Sequence, residues 1–183
     1  MERERLDAPS KHLAPQSVGA AGEKLVEVEL LRRHWLTANV NASIRNAEGY
    51  DIFAQRSDTR VSIRVKTCSA RLEAFQFGGF HKKPFVPPEG FPPRDFTVLV
   101  LLGAKYGADE FWVMPTLTLR KQLANNAKEY LSQCTRAGTD RIDTGQWTLH
   151  LHSLKDESDM RQGYGNRKRW EMYANAWHLL EKA

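Results

Sequence analysis

The chain has 183 residues and a formal net charge of +5, a basic balance that favours anionic partners such as nucleic acid. The sequence contains no run of the roughly 18 apolar residues that a membrane span requires, and its first residues, MERERLDAPSKHLAPQS, lack the apolar stretch of a secretory signal. Cys68 and Cys134 form no CxxC pair, which argues against a zinc finger and fits a cytoplasmic protein.

The first third of the chain predicts one helix followed by three strands. Residues 1–16 are expected to form a flexible tail, and residues 17–183 a single domain with a C-terminal helical extension over about residues 155–183. A helix is predicted over residues 17–35, with Ser17 as its N-cap. Its apolar stripe is Val18, Ala21, Leu25, Val26, Val28, Leu30 and Leu31. Strands are predicted over residues 40–44, 50–55 and 61–67, and the short link between the last two indicates an antiparallel hairpin.

The remainder of the chain begins with an unusual segment. Residues 75–94 contain five Phe, five Pro and three Gly without periodicity, and a structureless stretch of this length is uncommon and often functional. Strands are then predicted over residues 95–102, 110–115 and 147–152. Helices are predicted from Thr116 or Thr118 to about Cys134, and over residues 166–181. This order predicts an α+β or mixed α/β fold around one central sheet.

Three short motifs carry a family resemblance. They are Gly22-Glu23 in the first helix, Gly49-Tyr50-Asp51 at the second strand and Val65-Lys66-Thr67 at the end of the third. In this order they resemble the PD-(D/E)XK nuclease superfamily, in particular the branch with archaeal Holliday junction resolvases and small restriction-endonuclease-like proteins. The resemblance covers about residues 19–115 and implies a restriction-endonuclease-like mixed sheet flanked by helices.

The resemblance also implies a function and a site. The function is hydrolysis of DNA phosphodiester bonds, with Mg²⁺ or Mn²⁺ as cofactor. Glu23, Asp51 and Lys66 would be the catalytic residues, and Asp51, Glu23 and the carbonyl of Val65 the metal ligands. The residue types suit this chemistry, because hard cations prefer carboxylate and carbonyl oxygens, and an ammonium group can hold the attacking water or stabilise charge on the phosphate.

Arg64 departs from the family pattern, which places a Glu or Gln there as a metal ligand. Arginine cannot ligate a metal and stays protonated in proteins. At ~4 Å from a divalent ion, each unit of like charge costs about 4 kcal/mol at an effective dielectric near 20. Two interpretations remain open: Glu73 supplies the missing carboxylate, or catalysis has been lost and Arg64 and Lys66 form a phosphate clamp.

Three functions are therefore weighed from the sequence. The first is a Mg²⁺-dependent DNA endonuclease, and the second is a catalytically degenerate module that binds nucleic acid. The third is a protein-interaction subunit or homodimer that docks through residues 75–94. The expected nucleic-acid contacts are Arg64, Lys82, Lys83, Arg167, Lys168 and Arg169. His150 and His152 share a strand face without an evident third ligand and are interpreted as ordinary outward residues, and Trp170 as part of the core.

Overall fold

The structure is a computed structural model that describes residues 15–40, 50–69, 74–78, 94–103, 105, 107–135, 137–151 and 166–181. These residues form three α-helices, seven strands and two short 3-10 segments. In chain order they are α1 (Pro15–Leu31), β1 (Leu36–Asn39), β2 (Ile52–Arg56), β3 (Thr59–Ser69), β4 (Ala74–Gly78), β5 (Asp95–Leu102), β6 (Glu110–Pro115), α2 (Thr116–Leu131), β7 (Gln146–His150), α3 (Asn166–Arg169), and the 3-10 segments Glu171–Tyr173 and Trp177–Leu180.

A five-stranded mixed sheet is the centre of the fold. Its strand order is β1-β2-β3-β5-β6, in which only the β3–β5 pair is parallel, and β4 and β7 form a separate antiparallel pair. The predicted α/β class and the predicted antiparallel hairpin of the second and third strands are both confirmed. None of the described helices is long and apolar enough to cross a membrane.

The side chains of β3 alternate between the two faces of the sheet, and a separate hydrophobic core lies on each face. Val61, Ile63 and Val65 pack on the α1 side of the sheet, together with Val26 and Leu30 of the helix. The opposite face of β3 carries Ser62, Arg64, Lys66 and Cys68. On that side a second core contains Cys68 with Leu119 and Leu123 of α2 and Phe75 and Phe77 of β4. The strand β5 is buried on both faces, which accounts for its unbroken apolar run.

The start and end of α1 differ from the prediction. The helix begins at Pro15, so Ser17 lies within the first turn and the predicted N-cap is wrong. Proline suits a first helical turn, because the N–H it lacks would have no partner there. The helix ends at Leu31 because the chain reverses through His34, whose φ is +62°. Val28 and Leu31 of the predicted stripe are exposed.

Two predictions in the first half of the chain are also corrected. The first strand is Leu36–Asn39 and precedes the predicted residues 40–44, of which 41–44 lie outside the described part of the chain. The segment 75–94 is not structureless at its start, because residues 75–78 belong to β4. Phe75 and Phe77 are buried against β7 and α2, so neither ring is available to a partner. Residues 79–93 lie outside the described part of the chain.

The helix α2 begins one residue after a proline rather than at a threonine cap. Thr116 is its first residue, and its hydroxyl lies 2.9 Å from the hydroxyl of Thr97 on β5 instead of capping the helix. The predicted cap at Thr116 or Thr118 is therefore wrong, since no side chain caps this end. The helix ends at Leu131, before Cys134.

The C-terminal segment is broken where a continuous helix was predicted. Asn175 has a φ of +50° and donates its N–H to the carbonyl of Phe111 at 2.8 Å, and Ala174 bridges to Trp112. The segment thus pairs with the edge of β6, which an unbroken helix could not do. Trp170 packs in the core on the α2 side and Trp177 in the core on the α1 side, so the chain wraps around this edge. The predicted domain limits stay predictions.

Substitution of Gly22 by Ala is expected to lower the free energy of unfolding by about 1–3 kcal/mol. A Cβ at Gly22 would lie 1.8 Å from Oγ1 and 2.8 Å from Cβ of Thr67, and rotating the threonine side chain does not move its Cβ. Urea unfolding of Gly22→Ala measures the effect. Gly19→Ala is the matched control, because nothing lies within 4 Å of its added Cβ, and it should be neutral or slightly stabilising. Equal effects of the two substitutions would contradict this account.

Candidate functional site

Asp51 is fixed at the point where β2 separates from β3. Its N–H donates to the carbonyl of Ile63 at 2.9 Å, and its own carbonyl accepts the N–H of Val40 at 2.9 Å. The carboxylate oxygen Oδ2 accepts the backbone N–H of Val65 at 2.7 Å. Because the N–H and the C=O of one strand residue point to the same neighbour, the carbonyl of Val65 is also directed to this side. One carboxylate and one backbone carbonyl therefore meet at this end of the sheet.

Glu23 is brought to the same end of the sheet by α1. The missing side chain of Gly22 lets the helix approach Thr67, the residue after Lys66. Glu23 is anchored by Asn39 at the end of β1, whose amide Nδ2 donates to Oε2 of Glu23 at 3.2 Å and to Oε1 of Glu27 at 2.7 Å. Asn39 directly precedes the residue whose N–H binds Asp51. The role of Asn39 was not predicted from the sequence, because no local pattern indicates its contact with Glu23.

Lys66 extends from the face of β3 opposite to α1. Its Nζ lies 6.0 Å from the ring centroid of Phe77, and the side chain is half-buried. Burial lowers the pKa of Lys66 from its ordinary value, the positive charge of Arg64 lowers it further, and the charge of Asp51 opposes both effects. Lys66 is therefore electrostatically coupled to both Asp51 and Arg64.

Arg64 shares its face of the sheet with an acid that sequence reasoning missed. Thr97 is directly opposite Arg64 in the parallel β3–β5 register, and Asp95 is two residues earlier on the same face of β5. Burial raises the pKa of Asp95, whereas a hydrogen bond from Thr116 and the charges of Arg64 and Arg120 lower it. The pKa of Arg120 on α2 is lowered by burial and by Arg64, and Asp95 opposes this. The three form a charge cluster between the sheet and α2.

The cluster could have been suspected from one sequence signal. Asp95 opens the otherwise almost wholly apolar strand DFTVLVLL, and a carboxylate at the start of a buried strand needs a partner. Which arginines would surround it could not be known, because that depends on how β5 pairs with β3 and where α2 packs.

The basic residues near the C-terminus divide into two kinds. Arg167 forms a partly exposed ion pair within the protein. Its guanidinium donates to both carboxylate oxygens of Glu110 at 2.6 and 3.2 Å and lies 5.2 Å from the ring centroid of Trp112. Lys168 and Arg169 are exposed. The other expected contacts, Lys82 and Lys83, and the alternative ligand Glu73 lie outside the described residues.

A concave region lies between the end of α2 and β7. This cavity of about 260 Å³ is lined by Tyr130, Trp147 and His150, among others. The guanidinium of Arg141 covers the ring of Tyr130 at 4.0 Å, and Trp147 meets the same ring edge-on at 5.4 Å. One face of the Tyr130 ring is therefore covered by Arg141. His152 lies outside the described residues.

Comparisons with known proteins give little beyond the geometry. No protein-family model matches the sequence, and no curated protein matches it. Among solved structures, the chain is similar to a bacterial homing endonuclease, I-Ssp6803I, with a TM-score of 0.49 and 14% sequence identity. The match covers 93% of this chain and 94% of that chain. A likeness of this size carries no functional inference.

Substitution of Lys66 by Met is expected to stabilise the protein at pH 7. The reason is that the folded state disfavours the ammonium form of Lys66, as its lowered pKa indicates. Between the lowered pKa and the ordinary value of 10.5 the unfolded chain binds more protons, so wild-type stability rises with pH and the advantage of Lys66→Met shrinks.

Urea unfolding at pH 7 and at pH 10 measures this difference. Lys121→Met is the control, since Lys121 is exposed on α2, and it should show little effect at either pH. A destabilised Lys66→Met variant at pH 7, or a gap that widens with pH, would contradict the assignment.

Proposed function

We propose that this chain is a metal-dependent endonuclease of the PD-(D/E)XK type that hydrolyses phosphodiester bonds of DNA. The observation that supports the proposal is that Asp51 accepts the N–H of Val65 and is electrostatically coupled to Lys66, while Asn39, which precedes the residue bound to Asp51, donates to Glu23. The net charge of +5 suits a polyanionic substrate.

The oxygen donors at this end fit a hard divalent cation. Mg²⁺ typically takes one or two protein carboxylates and completes its shell with water and substrate phosphate. Asp51, Glu23 and the carbonyl of Val65 would hold it, and when bound it would supply Lewis acidity at the phosphate. No group of three or more His, Cys, Asp or Glu side chains among the described residues is placed to hold a metal ion, so the proposed ligand set is limited to two carboxylates and one backbone carbonyl.

Lys66 is suited to act on the attacking water. Its lowered pKa increases the fraction of neutral amine at a given pH, which is the form that can accept a proton. Burial of its stem beside Phe77 restricts the position of Nζ. In this proposal Lys66 orients the water and takes its proton as the water oxygen bonds to phosphorus, the phosphorus–oxygen bond to the leaving strand end breaks, and the leaving oxygen takes a proton from solvent.

Asp95 reduces the obstacle that Arg64 presents. An isolated arginine at this position would repel the cation, but Arg64 shares a buried cluster with one carboxylate. Asp95 offsets part of this positive charge, although burial raises its pKa and Arg120 adds another positive charge nearby. We therefore infer a weak metal site rather than an absent one.

A second candidate function is a catalytically degenerate nucleic-acid-binding module on the same scaffold. Arg64 itself favours it, since it stands where a ligand is expected and can bind phosphate through a bidentate contact. The two candidates differ in one measurable property, because only the endonuclease requires Asp51 and a divalent metal for its effect on DNA.

Substitution of Asp51 by Asn is expected to reduce DNA cleavage in Mg²⁺ or Mn²⁺ by at least about 100-fold. The amide oxygen of Asn can still accept the N–H of Val65, so the fold should persist while the ligand charge is lost. Conversion of supercoiled plasmid to nicked and linear forms provides the measurement. Asp58→Asn in the exposed β2–β3 turn is the matched control and should keep full activity. Metal-dependent cleavage that survives in Asp51→Asn would refute the site, and wild-type protein without cleavage would favour the binding module.

Substitution of Arg64 by Gln is expected to raise Mn²⁺ affinity at least about tenfold, because it removes a positive charge next to the proposed ligands. It should also lower stability, since Asp95 loses a buried cationic neighbour. Calorimetric titration with Mn²⁺ and urea unfolding measure the two effects. Arg60→Gln is the control, because Arg60 is exposed on the same strand and should change neither quantity appreciably. Unchanged Mn²⁺ affinity in Arg64→Gln would show that Arg64 does not face the metal site.

A further inference from the structure

Half of one sheet face beside the proposed site has no covering helix or strand among the residues that the structure describes. On the side of the sheet away from α1, the helix α2 and the strand β4 cover β3, β5 and β6. The strands β1 and β2 lie beyond this cover. By register, Leu36 is opposite Gln55, and Ala38 is opposite Phe53, which is in turn opposite Ser62 of β3. These side chains share one face, where Leu36 is 74% exposed and Phe53 40% exposed.

An aromatic pair stands on this open face immediately next to Asp51. The rings of Tyr50 and Phe53 have centroids 4.6 Å apart and an interplanar angle of 51°, and they flank the proposed metal ligand in the sequence. The same face of the neighbouring strand β3 carries three cations, Arg60, Arg64 and Lys66, because residue numbers of one parity share a strand face. The face therefore combines the exposed ring of Phe53 with the exposed charge of Arg60, while Arg64 and Lys66 lie half-buried further along the same strand face.

This combination is the one by which proteins hold unpaired nucleotides. Bases that are not paired can stack on aromatic rings while their phosphates follow a row of cations. In a duplex the base faces are covered by their neighbours and are not accessible to such rings. An aromatic ring next to a site that cleaves phosphodiester bonds can therefore stack with a base of a single strand, a flap or an extruded nucleotide.

We propose that the open face of β1 and β2 is a binding platform for single-stranded nucleic acid, with bases stacked on Phe53 and Tyr50. The inference rests on the proposed endonuclease function and specifies its substrate as DNA that is unpaired at the cleavage point. Arg60, which is exposed, would contact the phosphates that lead to Asp51 and Lys66.

A second copy of the chain is a poorer occupant of this face. In a two-fold symmetric interface each patch meets itself, so the cations of one copy would approach those of the other. The exposed large apolar side chains on this face, Leu36 and Phe53, are also few for an interface that typically buries about 800 Å² on each partner.

The test measures binding without cleavage. A fluorescein-labelled thymidine oligonucleotide of about 12 residues and a duplex of similar length are titrated with full-length protein at low salt in EDTA, with fluorescence anisotropy as the readout. Phe53→Leu keeps an apolar side chain but removes the ring, and should weaken single-strand binding by about 5- to 100-fold with little change for the duplex. Phe53→Trp should keep single-strand binding, and Leu36→Ala is the control that removes exposed apolar area without touching a ring.

The outcomes separate this inference from the proposed function. Equal single-strand binding by wild type and Phe53→Leu would overturn the platform, as would equal weakening of both nucleic acids. A dimer in sedimentation that Phe53→Leu dissociates would overturn it in favour of a second copy. Ring-dependent single-strand binding without metal-dependent cleavage would leave the platform standing and refute the endonuclease alone.

Discussion

The hydrogen bond between the carboxylate of Asp51 and the N–H of Val65 is the interaction on which the candidate site depends. The β2–β3 ladder ends at this level, so Val65 has no strand partner on that side, and a buried N–H without an acceptor is costly. Asp51 supplies the acceptor, and a hydrogen bond to a charged group typically contributes about 1.5–3 kcal/mol. Because the strand junction itself fixes the carboxylate, the position of a proposed metal ligand is a consequence of how the sheet is terminated.

The alternation of β3 explains how one strand serves both packing and chemistry. The odd-numbered residues Val61, Ile63 and Val65 pack against α1. The even-numbered Arg64 and Lys66 lie half-buried on the opposite face, where their positive charges need compensation. Compensation comes from outside the strand, from Asp51 at the end of β2 and from Asp95 on β5. Arg64 alone therefore does not distinguish a nuclease from a degenerate relative, because its charge interacts with those of Asp95 and Arg120.

Features with a local cause could be predicted from the sequence, and features with a distant partner could not. The strands Asp95–Leu102 and Glu110–Pro115 were predicted at their observed limits because their apolar patterns are self-contained. The strand β4 was missed because its phenylalanines pair with β7, about seventy residues later. The break near Asn175 was missed because the edge of β6 imposes it. Likewise Glu23, Asp51 and Lys66 could be named from motifs, whereas the contact of Asn39 with Glu23 and the arginines around Asp95 emerge only once the strands and α2 have packed.

The wrapping of the C-terminal segment around β6 has a consequence for how the protein folds during synthesis. Trp177 contacts the ring of Phe111 and lies under the guanidinium of Arg33, and Glu181 forms an ion pair with Arg56 of β2. All of these partners are translated long before the residues that cover them. Until the tryptophan leaves the ribosome, the edge of β6 is unpaired and Phe111 lacks part of its cover, a state open to pairing with other nascent chains. The edge of β6 is therefore open to such pairing until Ala174 and Asn175 have docked against it.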